Sequence, residues 1–289
     1  MAGLRRALLV GAAALCLAVP AGGAPPRDTS AYEGLGTWVD IFDGTVLAKP
    51  EAAVARMRDL GVTTLYLQTS NFTQKVDLVR PTALGRFIDA AHANGLRVVA
   101  WYLPSLGNVA RDLRRSLAAV RFRSPTGNAF DSFALDIEAE VVRSAKTRST
   151  RLLGLSRALR QAVGPNYPLG AIVPSPRGME LRPAYWPGFP YEGLAKSYDV
   201  FMPMGYFTYR YKSAAAARAY TEANLEILRT ETGNEALVVH AVGGLAGPAT
   251  LAQVRAFSTA AADGGAIGAS LYDYATTSAA EWRVLSAAA

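Results

Sequence analysis

Ser132-Phe-Ala-Leu-Asp-Ile-Glu138 alternates large apolar side chains with small or acidic ones. In an extended chain Phe133, Leu135 and Ile137 share one face, and Ala134, Asp136 and Glu138 share the other. The apolar face suits packing beneath helices, and the opposite face carries two carboxylates toward the strand's carboxyl end. Seven further stretches read as strands: 36–42, 63–68, 97–102, 169–173, 200–204, 237–241 and 267–272. Helical patterns lie between them at 50–60, 82–94, 109–120, 148–163, 214–232, 250–263 and 278–285, with only a short piece near 192–197 after the fifth strand. Gly61, Gly95 and Gly264 stand where left-handed helix ends are expected, and Pro50 suits a first helical turn. Alternating β and α units with short connections imply a parallel sheet. An open doubly wound sheet competes, but its Gly-rich turn after the first strand is absent. Eight strands point to closure as a single (β/α)8 TIM barrel of the α/β class.

Length and composition agree with that reading. The 289 residues are 51% hydrophobic and 18% charged, which excludes a disordered tail or a collagen-like chain. Arg5 and Arg6 precede an apolar run, 7–19, that breaks at Pro20 into small residues. This pattern reads as a secretory signal peptide, 1–24, too short for a membrane span. Removing it from 289 residues leaves 265, a usual size for such a barrel. Residues 25–33 read as a flexible lead-in and 34–289 as the barrel domain. The expected product is secreted, monomeric and without a membrane span. The only cysteine, Cys16, lies in the leader, so no disulfide or thiolate metal site is expected in the mature chain. Loss of Arg5 and Arg6 takes the net charge from +7 to +5. These charges are dispersed without a dense basic block, which argues against nucleic acid.

In a barrel of this kind chemistry belongs at the carboxyl ends of the strands. Polar residues recur there: Asp40 or Asp43, Gln68, Asp136 and Glu138, Tyr206, His240, and Tyr272 or Asp273. Asp136 and Glu138 lie one strand repeat apart, roughly 6–7 Å at Cα, so each charge feels the other. In a low-dielectric mouth such a pair keeps one carboxyl protonated, as protonation of a glycosidic oxygen requires. The plainer alternative is that these carboxylates cap a loop or pair with Arg143 or Arg177.

The segment Asp131-Ser-Phe-Ala-Leu-Asp-Ile-Glu138 resembles the fourth strand of chitinase-like family 18 glycoside hydrolases, Asp-x-x-Asp-x-Asp-x-Glu, with Ala134 at the middle aspartate. Met204-Gly-Tyr-Phe207 is similar to the family's Met-x-Tyr-Asp, with Phe207 replacing the aspartate, and Tyr272 stands where the family has tryptophan. The resemblance implies Glu138 as general acid and base, Asp136 orienting a substrate acetamide that attacks the anomeric carbon, and Tyr206 hydrogen-bonding that acetamide. Asp131 would be a supporting group. Family 25 lysozyme-like barrels also carry Asp-x-Glu on a middle strand, and there Asp40 becomes a partner. The expected substrate is a β-linked polysaccharide or cell-wall glycan, possessing N-acetylhexosamine in the first reading. The alternative is a non-catalytic carbohydrate-binding barrel derived from a glycosidase.

Further substrate-binding candidates are aromatic. Residues 174–191 hold five prolines with Tyr185, Trp186, Phe189 and Tyr191, and either overhang the mouth as sugar-stacking faces or form a self-packed mini-core. Trp101 and Tyr102 divide between the barrel interior and the helices. His240 is a candidate hydrogen-bonder at the mouth or a core histidine. With His92 on a helix no histidine metal site assembles, and neither metal nor cofactor is expected; a carboxylate-bound cation stays open. Gly243-Gly-Leu-Ala-Gly247 reads as a flexible loop. No Gly-x-Ser-x-Gly elbow occurs, which disfavours a serine hydrolase, and Asn71-Phe-Thr73 matches a glycosylation sequon.

Overall fold

The structure is a computed structural model and describes residues 27–287. A 3-10 turn at Ser30–Tyr32 leads into eight strands: β1 Gly34–Val39, β2 Thr64–Asn71, β3 Arg97–Leu103, β4 Ser132–Asp136, β5 Leu169–Pro174, β6 Val200–Met204, β7 Val238–Leu245 and β8 Gly268–Tyr272. All pair in parallel and in sequence order, and β8 closes on β1. The barrel predicted from the alternation is therefore present. Around it lie α1 Gly44–Ala48, α2 Pro50–Asp59, α3 Pro81–Ala93, α4 Val109–Arg121, α5 Ala145–Val163, α6 Pro176–Leu181, α7 Tyr191–Ala195, α8 Ala214–Thr232, α9 Leu251–Asp263 and α10 Ala279–Ser286. The side chains of Ser144, Ser213, Thr250 and Ser278 cap α5, α8, α9 and α10, satisfying amides the helices leave open. The left-handed residues before β2 and β3 are Gly61 and Gly95 as expected, but before β8 it is Gly265, one residue beyond the predicted Gly264. Among the described residues no helix is long and apolar enough to cross a membrane. The leader, 1–24, lies outside the described residues.

Two apolar layers hold the barrel. Leu65, Leu67, Phe133, Leu135 and Ile137 pack between strands and helices, as their alternation predicts. Trp38, Tyr66, Trp101, Ala134, Ile172 and Met202 fill the interior. Residues 27–33, expected to be flexible, are instead docked on the barrel floor. Arg27 pairs with Asp199, and the fully buried Tyr32 enters the interior to bond Ser132 Oγ at 2.6 Å. Gly170 makes room for it, since a Cβ there would lie 2.8 Å from the Tyr32 hydroxyl.

His240 belongs to this floor, the core alternative, and is not the hydrogen-bonder at the mouth that its place among the substrate-binding candidates implied. It is paired with Gly268 at the first residue of β8 and is fully buried. Its Nδ1–H donates to the Tyr32 carbonyl at 2.8 Å, which leaves Nε2 to accept from Ser270 Oγ at 3.0 Å. Trp38 Nε1 donates to the same Ser270 oxygen. Every polar atom of the imidazole is thus occupied by the fold. Burial pulls its pKa down to about 4.

Candidate active site

β4 ends at Asp136, and the chain leaves the sheet before Glu138. Asp136 is buried at the inner face of the strand end, and Glu138 stands half-buried just beyond. Burial raises both carboxyl groups above their ordinary range, and the charge of Glu138 raises Asp136 further. No ion pair to either residue exists among the described residues; Arg177 is engaged with Glu180 instead. The loop-capping or arginine-paired alternative therefore does not describe these two groups. Asp136 Oδ1 has no protein partner, nor has the indole N–H of Trp101 on the neighbouring strand. Trp101 is buried in the interior with its ring edge-on to Trp38 at 5.9 Å, whereas Tyr102 faces the helices and donates to Asp112 at 2.8 Å.

Tyr206 follows β6, and burial, with the charges of Asp136 and Glu138 adding to it, pushes its phenol upward. Its ring lies 6.2 Å from that of Tyr272 at the end of β8. Tyr272 in turn donates its hydroxyl to Asp40 Oδ2 at 2.8 Å. Asp40, Asp43 and Asp273 bring carboxylate oxygens within 4.8 Å of one another. Desolvation and the two neighbouring charges raise Asp43 to about 6. These oxygens also fold the rim: Asp43 accepts from the Asp40 amide, Asp40 from the Phe42 amide, and Asp273 from the Thr276 amide. Hard oxygen donors of this kind are the type that would hold Ca²⁺ or Mg²⁺. Gln68 is buried and accepts from the Ile41 amide, so it fixes the first loop. The mouth thus assembles Asp40, Gln68, Asp136, Glu138, Tyr206, Tyr272 and Asp273, with Trp101 beneath them.

Trp186 does not overhang the mouth as a sugar-stacking face but belongs to the self-packed alternative. It is 3% exposed, donates Nε1 to Ser149 Oγ at 3.0 Å and packs edge-on against Phe189. The Arg148 guanidinium lies 4.3 Å from its ring centroid. The proline-rich segment folds into a mini-core because three aromatics and an arginine stem bury more apolar area together than any could while splayed over solvent. Asp131 is not a supporting group of the site. It sits below β4, accepting from the Val98 amide and bonded to His92, and takes no part in the mouth. Phe207 is fully buried against Phe257. Residues 243–245 continue β7 instead of forming a flexible loop. Asn71 is buried and accepts from Thr73, so the sequon stands at a strand end.

Four side chains beside the mouth are not singled out by the sequence. Phe42 and Tyr209 are each 71% exposed on the loops after β1 and β6. Arg182 and Arg210 stand on the loops after β5 and β6, lining a cleft of about 440 Å³ with Tyr185, Tyr206 and Tyr209. Their position just after strand ends was the available signal, but single aromatic and basic residues in loops carry no periodic pattern.

No family model matches the chain, and no curated protein matches its sequence. Solved structures do match in fold. The endo-β-1,4-mannanase of Thermotoga petrophila aligns at TM-score 0.68 with 12% identity, over 90% of this chain and 77% of that one. A family 18 chitinase from Cycas revoluta aligns at 0.63 with 12% identity, over 88% and 99%. The spore cortex-lytic enzyme of Bacillus cereus aligns at 0.64 with 9% identity, over 90% and 75%. At these identities the likeness is one of fold alone, a closed (β/α)8 barrel.

Proposed function

We propose that this chain is an exported glycoside hydrolase acting on a β-linked polysaccharide that contains N-acetylhexosamine, with Glu138 as general acid and base. The observation that carries this reading is the buried Asp136 beside Glu138 at the carboxyl end of β4, both lifted toward the protonated form and neither paired with a cation. Glu138 donates its proton to the glycosidic oxygen as the bond to the anomeric carbon breaks. The substrate's acetamide oxygen closes on that carbon, held by Asp136 and the Tyr206 hydroxyl. Glu138, now ionised, takes a proton from water as water opens the cyclic intermediate, which restores the acid.

The fold type of the neighbouring structures supports the substrate class, and the retained Asp136, Glu138 and Tyr206 support the chemistry. Ala134 and the buried Phe207 favour a second reading, a glycan-binding barrel without turnover, because two carboxylates of the family pattern are missing. Assay of reducing ends released from chitin, peptidoglycan and neutral β-glucans separates the two. Release from one polymer, lost in Glu138→Gln with unchanged thermal unfolding, is expected. Binding without release from any of them would establish the second reading.

A further inference from the structure

The cleft beside Tyr206 carries a charge pattern that hydrolysis alone does not require. Its wall is built by the segments after β5 and β6, and its lining includes Arg182 and Arg210 but no acidic residue. Neither guanidinium has a carboxylate partner among the described residues, although nearby Arg177 is neutralised by Glu180 at 2.6 Å. Arg182 lies 5.8 Å from the Tyr185 ring centroid. Tyr209, strongly exposed, stands 6.0 Å from the Tyr206 ring. The cleft borders the carboxylate strand end, since Tyr185, which lines it with Tyr206, donates its hydroxyl to the Glu138 carbonyl at 2.6 Å. Both guanidinium groups line one concave surface with no carboxylate among its lining residues, so an anion entering it meets positive potential. Planar guanidinium groups bind carboxylate and phosphate in a fork.

We infer that the glycan bound here carries an acidic substituent, a carboxylate or phosphate, which Arg182 and Arg210 hold while its sugar ring lies along Tyr206 and Tyr209. This rests on the hydrolase reading for where the scissile bond lies, though not for the binding itself. The cleft's 440 Å³ falls within the roughly 300–1,000 Å³ of small-ligand sites, enough for a substituted sugar and not for a long chain. The rest of the glycan would continue over the mouth.

The test uses Glu138→Gln protein, so that bound glycans stay uncleaved, and isothermal calorimetry with four tetrasaccharide probes. These are the neutral N-acetylglucosamine tetramer, a tetramer alternating N-acetylglucosamine and N-acetylmuramic acid, its carboxyl-reduced alcohol, and a phosphate-substituted tetramer. The acidic probe is expected to bind about tenfold more tightly than its reduced form for each arginine engaged, the worth of a charge-assisted hydrogen bond. Added Arg182→Gln and Arg210→Gln changes should erase that preference while leaving the neutral affinity alone. Both side chains are exposed, and unchanged thermal unfolding verifies that the fold persists. In the parent protein the preference should also shrink as salt rises from about 50 to about 500 mM. A stronger preference for the phosphate probe would identify phosphate as the substituent. Equal binding of acidic and reduced probes, or a preference that survives the double change, would overturn the inference. Cleavage of neutral glycan by the unsubstituted enzyme without preference would leave the hydrolase reading standing and remove this one. Arginine-dependent binding with no cleavage of any probe would do the reverse.

Discussion

The hydroxyl of Tyr185 donates to the main-chain carbonyl of Glu138 at 2.6 Å. Glu138 lies beyond the last ladder bond of β4, so the sheet no longer holds its backbone, and a side chain from the loop after β5 does so instead. Tyr185 is therefore a positioning residue. Tyr185→Phe keeps the ring and its packing but frees that carbonyl. The turnover number should fall about tenfold or more, since small misplacements of a reacting group are costly. KM should change little, and stability should drop by about 1 kcal/mol, as for one lost hydrogen bond. An equal loss in a neutral-substrate binding assay would show that Tyr185 contacts substrate instead.

The pH dependence of turnover should carry the raised carboxyl groups. Burial alone lifts Glu138, so its acid form persists to higher pH than an ordinary glutamate, and activity is lost as pH rises through that elevated value. Asp136→Asn should lower the rate by a factor of about 10²–10⁴, the usual worth of such a group, yet leave the alkaline limb in place. The same change should raise the melting temperature near neutrality. A carboxyl whose pKa is higher folded than unfolded loses stability as pH rises above its unfolded value, and asparagine has no such penalty. An alkaline limb displaced in Asp136→Asn would mean that the Asp136 charge, and not burial, sets the titration of Glu138.

The fold was legible because barrel strands write their two faces into a period of two. Leu65 and Leu67, or Phe133 and Leu135, can only be read as packing under helices, and that fixed where Asp136 and Tyr206 point. Height within the barrel is a different quantity. His240 and Tyr206 both face inward, and period two does not tell which of them opens to solvent. The answer depends on register across β7 and β8, where His240 meets Gly268 at the start of its strand. Trp186 failed for a related reason: its partner Arg148 comes from α5, far away in sequence, and no local pattern announces a stacking across such a distance.

That Arg148 contact yields a prediction of its own. The guanidinium is buried, donates to the Tyr185 carbonyl at 2.6 Å and covers the Trp186 ring. It therefore braces the same loop that holds Glu138. Trp186→Ala should destabilise the protein by about 3–5 kcal/mol as a large core truncation, with unfolding by denaturant as the readout. Surviving folded protein at low temperature should still bind glycan. Weakened binding with unchanged stability would return Trp186 to the role of a sugar platform.

Acid stability should be governed by His240. Its pKa is about 4 folded against 6.5 for the free side chain, so the unfolded chain binds a proton in this interval that the native protein refuses. Stability contributed by the neutral imidazole is complete above pH 6.5 and is lost as pH falls toward 4. That depression corresponds to on the order of 3 kcal/mol for this fully buried group. His240→Gln can place an amide donor near the Tyr32 carbonyl and does not titrate here. Its unfolding free energy, measured by urea between pH 4 and pH 7, should lose the one-proton slope of the parent protein. Crowding at the same place gives an independent check, because a Cβ on Gly268 would fall 2.5 Å from His240 Nδ1 and 2.6 Å from two backbone carbonyl oxygens. Gly268→Ala should therefore cost about 1–3 kcal/mol or more at every pH, and a pH-independent loss in that variant beside a retained slope would separate packing at the floor from its titration.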